Sequence, residues 1–89
     1  MTSISLQVTY RKGRPSAAYI YLDRRPGPRS ARTVELAPDV VVDFASDDQP
    51  IGLEIVDPES VRVEDILAVF DQLGLARPDD SELAPLKAA

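Results

Sequence analysis

The stretch IGLEIVDPESVRVEDILAVFDQL, residues 51–73, changes its hydrophobic period partway along. At its start, Ile51, Leu53 and Ile55 alternate with other side chains and share one face of a predicted strand. After a polar turn, apolar residues recur at the spacing of an amphipathic helix, which we predict over residues 63–73. The chain therefore predicts a strand followed by a helix that covers one face of a sheet.

Four more segments, all upstream, have the alternation or the β-branched and aromatic content of strands. Turn residues separate them in pairs, which predicts two hairpins. With the strand described above, the predicted strands cover residues 4–10, 17–22, 32–36, 40–44 and 51–56. We expect an α+β fold: an antiparallel β-meander of about five strands with one C-terminal amphipathic helix packed on one face.

The predicted helix has a defined end, and an acidic tail follows it. Gly74 stands where a left-handed cap would end the helix, and Val69 lies at the margin of the apolar stripe. We expect one domain over residues 1–75 and an acidic, Pro-containing tail over residues 76–89, whose Leu83 and Leu86 are candidates for docking.

The composition excludes several kinds of chemistry. The 89 residues suffice for one small domain, and they contain no Cys and no His. Zinc sites of the Cys/His type, cysteine nucleophiles and Ser-His-Asp triads are therefore excluded within one chain, and we expect neither a cofactor nor enzyme activity. The first residues lack a secretory leader and no apolar stretch is long enough to span a bilayer, so we expect a cytoplasmic protein without membrane contact.

Charge is distributed unevenly along the chain. Residues 1–34 hold seven basic groups and one acid, a net of +6, whereas residues 35–89 hold three basic groups and fourteen acids, a net of −11. Such asymmetry is typical of a nucleic-acid surface or of a charge-complementary protein partner. The alternative is that the two halves neutralise each other, inside one fold or across a dimer. The basic loop that would serve a nucleic acid contains Arg24, Arg25, Arg29 and Arg32.

Carboxylates cluster around the last predicted hairpin, at Asp43, Asp47, Asp48, Glu54 and Asp57. Oxygen ligands of this type bind Mg²⁺ or Ca²⁺, but the spacing fits no calcium loop, so we predict a solvated turn and no metal site. Two of them, Asp43 and Glu54, could face each other on adjacent strands as an acid-base pair. Cross-strand charge balance more often explains such a pair.

One helix covers only one face of a five-stranded sheet. The opposite face carries charged and polar side chains together with apolar ones, which are the candidate interaction residues Tyr19, Tyr21, Val41 and Val56. An exposed, partly apolar surface of this kind predicts a homodimer or a small partner protein. Tyrosines that simply fit a solvated pleated sheet are the alternative.

Three predicted strands also carry a family resemblance. The segments AAYIYL (17–22), VVVDF (40–44) and IGLEIVD (51–57) resemble the Ala-Leu-Tyr-Ile, Val-Ile-Val-Asp-Tyr-Asp and Gly-Ile-Glu-Ile-Leu-Asp strands of a small bacterial family, domain of unknown function number twenty-two eighty-three. The resemblance implies a compact β-meander with a helix and no established activity, and some members look like partners of small toxins. An antitoxin-like role is therefore an expectation. The chain departs from the family in its basic residues 11–14 and in Ala45, where the family tends to have Asp.

Overall fold

The computed structural model describes residues 5–22 and 30–86. Within them, five antiparallel strands form one sheet, and the helical segments follow the last strand in the chain. The strands are β1 (Ser5–Arg11), β2 (Arg14–Tyr21), β3 (Arg32–Ala37), β4 (Val40–Phe44) and β5 (Pro50–Ile55), followed by α1 (Val63–Gln72), α2 (Asp80–Leu83) and a 3-10 turn (Ala84–Leu86). The predicted α+β class and the helix on one face of the sheet are confirmed.

The strands occur in the spatial order β1-β2-β5-β4-β3. β3, β4 and β5 are therefore consecutive neighbours, whereas β2 pairs with β5 and is separated from β3 by two strands. A strictly sequential order would have placed β3 beside β2. The actual order puts β5 at the centre of the sheet, which brings residues of β2 and β4 close to it from either side.

The β1–β2 turn is tighter than the sequence suggested. Lys12 and Gly13 both have positive φ, at 53° and 78°, the combination that a two-residue type I′ turn requires. β2 therefore starts at Arg14, directly opposite Arg11, rather than at residue 17. A register shift next to Thr9 restores the alternation that buries Ala18 and Ile20.

The core lies on one face of the sheet. It combines the inward residues of β2, β4 and β5 with those of α1, where Val69 is fully buried although the sequence placed it at the margin of the stripe. The helix ends in a Schellman motif, in which Gly74 N–H donates to the Asp71 carbonyl and Leu75 N–H to the Phe70 carbonyl. The position predicted for a glycine cap is therefore confirmed.

The C-terminal segment completes this core. Asp79 and Glu82 form a reciprocal capping box that starts α2. Leu83 and Leu86 follow and are 2% and 1% exposed within the main cluster. The two leucines named as docking candidates are thus core residues, and every helical segment that the structure describes lies on the same side of the sheet.

Candidate functional site: the open sheet face

On the side of the sheet opposite the helices, the strand register sets two rows of side chains that cross all five strands. One row runs Gln7, Tyr19, Glu54, Val41, Glu35 across the five strands, and the next runs Ser5, Tyr21, Gly52, Asp43, Thr33. We call these two rows the open face. It carries three carboxylates and two tyrosines.

The side chain of Tyr19 extends diagonally across β5, the central strand of the sheet. Its ring lies over Gly52 of β5, where any Cβ would overlap the phenol. Its hydroxyl donates a 2.7 Å hydrogen bond to Oδ2 of Asp43 on β4, and Thr33 donates a 2.9 Å bond to Oδ1 of the same carboxylate. Partial burial, and then the bond to Asp43, raise the pKa of Tyr19 well above its ordinary value. The phenol is therefore a neutral hydrogen-bond donor.

Tyr21 leans the other way, toward the sheet edge. Its hydroxyl donates a 2.8 Å hydrogen bond to Oε1 of Gln7, and its ring meets that of Tyr19 edge to face with 4.8 Å between centroids. The two rings are thus fixed by each other and by one hydrogen bond each. Both rings therefore need no rearrangement before a partner binds.

Beside the rings lies an open depression of about 280 Å³ over β1, β2 and β5. Its lining is formed by Gln7, Thr9, Ala17, Ala18, Tyr19, Tyr21 and Glu54. Glu54 is exposed, and within the part of the chain that the structure describes its carboxylate forms no hydrogen bond or ion pair. The depression therefore combines aromatic walls with an uncompensated negative charge.

The four predicted interaction residues have different environments. Tyr21 and Val56 are exposed, at 41% and 47%, whereas Tyr19 and Val41 are half-buried. Val56 follows the last residue of β5, at a bend where its N–H donates to the Asp39 carbonyl. The open face is therefore less apolar than the sequence alone suggested.

Gly52, Gln7 and Thr33 are parts of this face that the sequence reasoning did not single out. A glycine inside a strand is a known sign of a close approach to the backbone, so Gly52 offered a signal. The two polar residues offered none, because their roles depend on which strands are neighbours.

The basic loop is described only at its end. Arg24, Arg25 and Arg29 lie outside the described residues. Arg32 lies over the Phe44 ring, 4.4 Å from its centroid, and pairs with Asp48 at 3.1 Å. Its guanidinium is thus already engaged within the chain.

The acidic candidates are only partly brought together. Asp43 lies opposite Gly52, and Glu54 lies opposite Val41, so the two carboxylates are diagonal neighbours rather than directly facing. Among the described residues, which include all five predicted acids, no group of three metal-ligating side chains is placed to hold an ion. Nor does any helix in residues 5–22 and 30–86 have the length and apolarity to cross a membrane.

Comparison with known proteins identifies one match. The model of a family described as "Protein of unknown function (DUF2283)" matches residues 17–57, which run from β2 through β5. The resemblance inferred from the three strand segments is thereby confirmed for this part of the chain. No curated protein and no solved structure matches.

Proposed function

Taking the family match over residues 17–57 as a premise, we propose that the protein is a small, non-enzymatic interaction module. Its contact surface is the open face, and its first partner is a second copy of itself. One observation carries the proposal: α1, α2 and the 3-10 turn all cover one side of the sheet. The other side holds tyrosines fixed by hydrogen bonds, and no helix formed by the described residues lies above them.

Tyrosines suit such a surface because each has an apolar ring and a polar tip. The hydrogen bonds of Tyr19 and Tyr21 fix both rings before binding, so little side-chain entropy is lost when a partner arrives. Five strands of about six residues give a face of roughly 20 by 24 Å. That area is below the roughly 800 Å² per partner of a standard stable complex, so we expect self-association in the micromolar range.

The test is the molar mass in solution, measured by light scattering from micromolar to millimolar concentration. We expect a monomer–dimer equilibrium that Tyr21→Ser weakens. Tyr10→Ser is the matched control, because Tyr10 is also exposed, at 52%, but alternates with Leu6 and Val8 on the helix side of the sheet. A monomer at all concentrations, or equal effects of the two substitutions, would refute the proposal.

An antitoxin-like role, in a bacterial cytoplasm, is the narrow form of this proposal, and it rests on the family resemblance. The alternative from another class is nucleic-acid binding through the basic loop. Retention on immobilised RNA or DNA that falls steeply as salt rises would favour that alternative, because phosphate contacts release counterions. We expect no such retention, since the chain has a formal net charge of −5 and Arg32 of this loop pairs with Asp48.

A further inference from the structure

The tip of the β1–β2 hairpin carries a cluster of cations that no residue in 5–22 or 30–86 neutralises through an ion pair. Arg11 and Arg14 are directly opposite each other across the two strands, with Lys12 in the turn between them. None of the three forms an ion pair or a side-chain hydrogen bond with another residue of the chain described by the structure. Like charges placed opposite each other on neighbouring strands repel, so this arrangement costs stability in the isolated chain.

The open face presents the complementary charge. Glu54 lines the tyrosine-walled depression and likewise has no ion-pair or hydrogen-bond partner for its carboxylate among the residues that the structure describes. Glu35 lies on the same face in the same row as Glu54, and Asp43 lies in the next row. The chain thus exposes uncompensated cations at one end of the sheet and an uncompensated anion on one face, and the two cannot meet within one copy.

The distance between them fits a twofold arrangement. Arg14 is opposite Arg11, which is four residues beyond Gln7 on β1, and Gln7 is level with Tyr19 and Glu54. At about 3.3 Å per residue, the tip is roughly 13 Å along the strands from the Glu54 row. Consider a twofold axis that is parallel to the open face and perpendicular to the strands, at the level of Thr9, which is halfway between the tip and the Glu54 row. Such an axis would place the tip of each copy over the depression of the other copy.

We propose that the open face binds the hairpin tip of a second copy, with Arg14 of each copy against Tyr19 and Glu54 of the other. This inference rests on the proposed function and names its partner surface. The contact is reciprocal, as a closed twofold dimer requires. The guanidinium of Arg14 meets a carboxylate and an aromatic wall, two groups that arginine binds well.

A charge exchange tests the proposal. Glu54→Arg places two arginines together at both contacts of a homodimer, and Arg14→Glu places two carboxylates together. Each variant alone should dimerise at least about tenfold more weakly than the unmodified chain. An equimolar mixture of the two should form a heterodimer with near-original affinity, because one contact is then native and the other is reversed but complementary.

The control variants carry the same charge reversals at positions outside the proposed contact. Arg62→Glu and Glu59→Arg alter exposed residues before α1 and should leave dimerisation within about twofold of the original. A melting curve establishes that each variant folds. For the unmodified chain, carbodiimide coupling in a mixture of ¹⁴N- and ¹⁵N-labelled protein should join Lys12 of one copy to Glu54 of the other.

The outcomes separate this inference from the proposed function. If the chain dimerises and Tyr21→Ser weakens the dimer, but the mixture of charge variants shows no recovery and no Lys12–Glu54 coupling occurs, the open face is the interface and the tip is not its occupant. If the unmodified chain is monomeric throughout, the proposed self-association itself is wrong. Recovery in the mixture together with the cross-link establishes the tip as the occupant.

Discussion

Replacing Gly52 by alanine tests how the open face is built. A Cβ at this position would overlap the Tyr19 phenol, so the ring must move and its hydrogen bond to Asp43 is lost. A hydrogen bond to a charged acceptor contributes about 1.5–3 kcal/mol. Alanine is favoured over glycine within a strand by about 0.5–1 kcal/mol, so the lost bond outweighs the gain. We expect Gly52→Ala to lower the free energy of unfolding by about 1–2 kcal/mol, or the Tm by about 4–8 °C for each kcal/mol.

The loss of unfolding free energy is measured by urea denaturation, monitored by circular dichroism, in a double-mutant cycle that combines Gly52→Ala with Tyr19→Ala. Without the ring there is nothing to overlap, so Gly52→Ala should then be neutral or stabilising by up to about 0.5–1 kcal/mol. Gly13→Ala is the control: with φ of +78° and no atom within 4 Å, its cost is backbone strain and should be equal in both backgrounds. An equal loss for Gly52→Ala with and without Tyr19 would contradict the close approach.

Titrations and a core substitution test three other contacts. Burial, and then the hydrogen bond to a carboxylate, raise the pKa of Tyr19 above its ordinary 10.0, so its contribution to stability is complete below pH 10 and is lost as the pH rises further. Tyr19→Phe should therefore flatten the alkaline limb of the plot of unfolding free energy against pH. The hydrogen bond from Arg77 holds the pKa of Asp71 below its ordinary 3.8. The contribution of this pair to stability is therefore complete above pH 3.8, and it is lost as the pH falls through the lowered pKa of Asp71. Arg77→Gln should raise the midpoint of the Asp71 carboxyl signal in an NMR titration. Leu86→Ala, at a site 1% exposed, should cost about 2–4 kcal/mol in the same urea assay, and a cost near zero would mean that the C-terminal segment is not part of the core.

The C-terminal segment shows where local sequence reasoning is incomplete. The composition of residues 76–89 predicted an acidic tail, yet Asp79 and Glu82 have the capping-box spacing that marks the start of a helix. Two leucines follow that box. Their burial depended on whether the core left room beside α1, which no local pattern reveals.

The open face shows a similar division. Alternation alone placed Tyr19, Asp43 and Glu54 on one side of the sheet, because side chains of a strand point to opposite faces in turn. It did not identify the hydrogen bond from Tyr19 to Asp43, which joins strands that are not neighbours. That contact exists because Gly52 removes the side chain between them.

By itself, the sequence determined the strands, the helix and its glycine cap, and which side chains of these strands face the core. These depend on local periodicity and on backbone preferences of single residues, and both act over a few positions. Only the tertiary structure decided that β5 enters beside β2, and hence which groups meet on the open face. The entropy cost of closing a loop rises slowly with its length, so pairing β2 with β5 costs little more than pairing it with β3. The choice therefore rests on side-chain packing between strands far apart in the chain, which a local pattern does not contain.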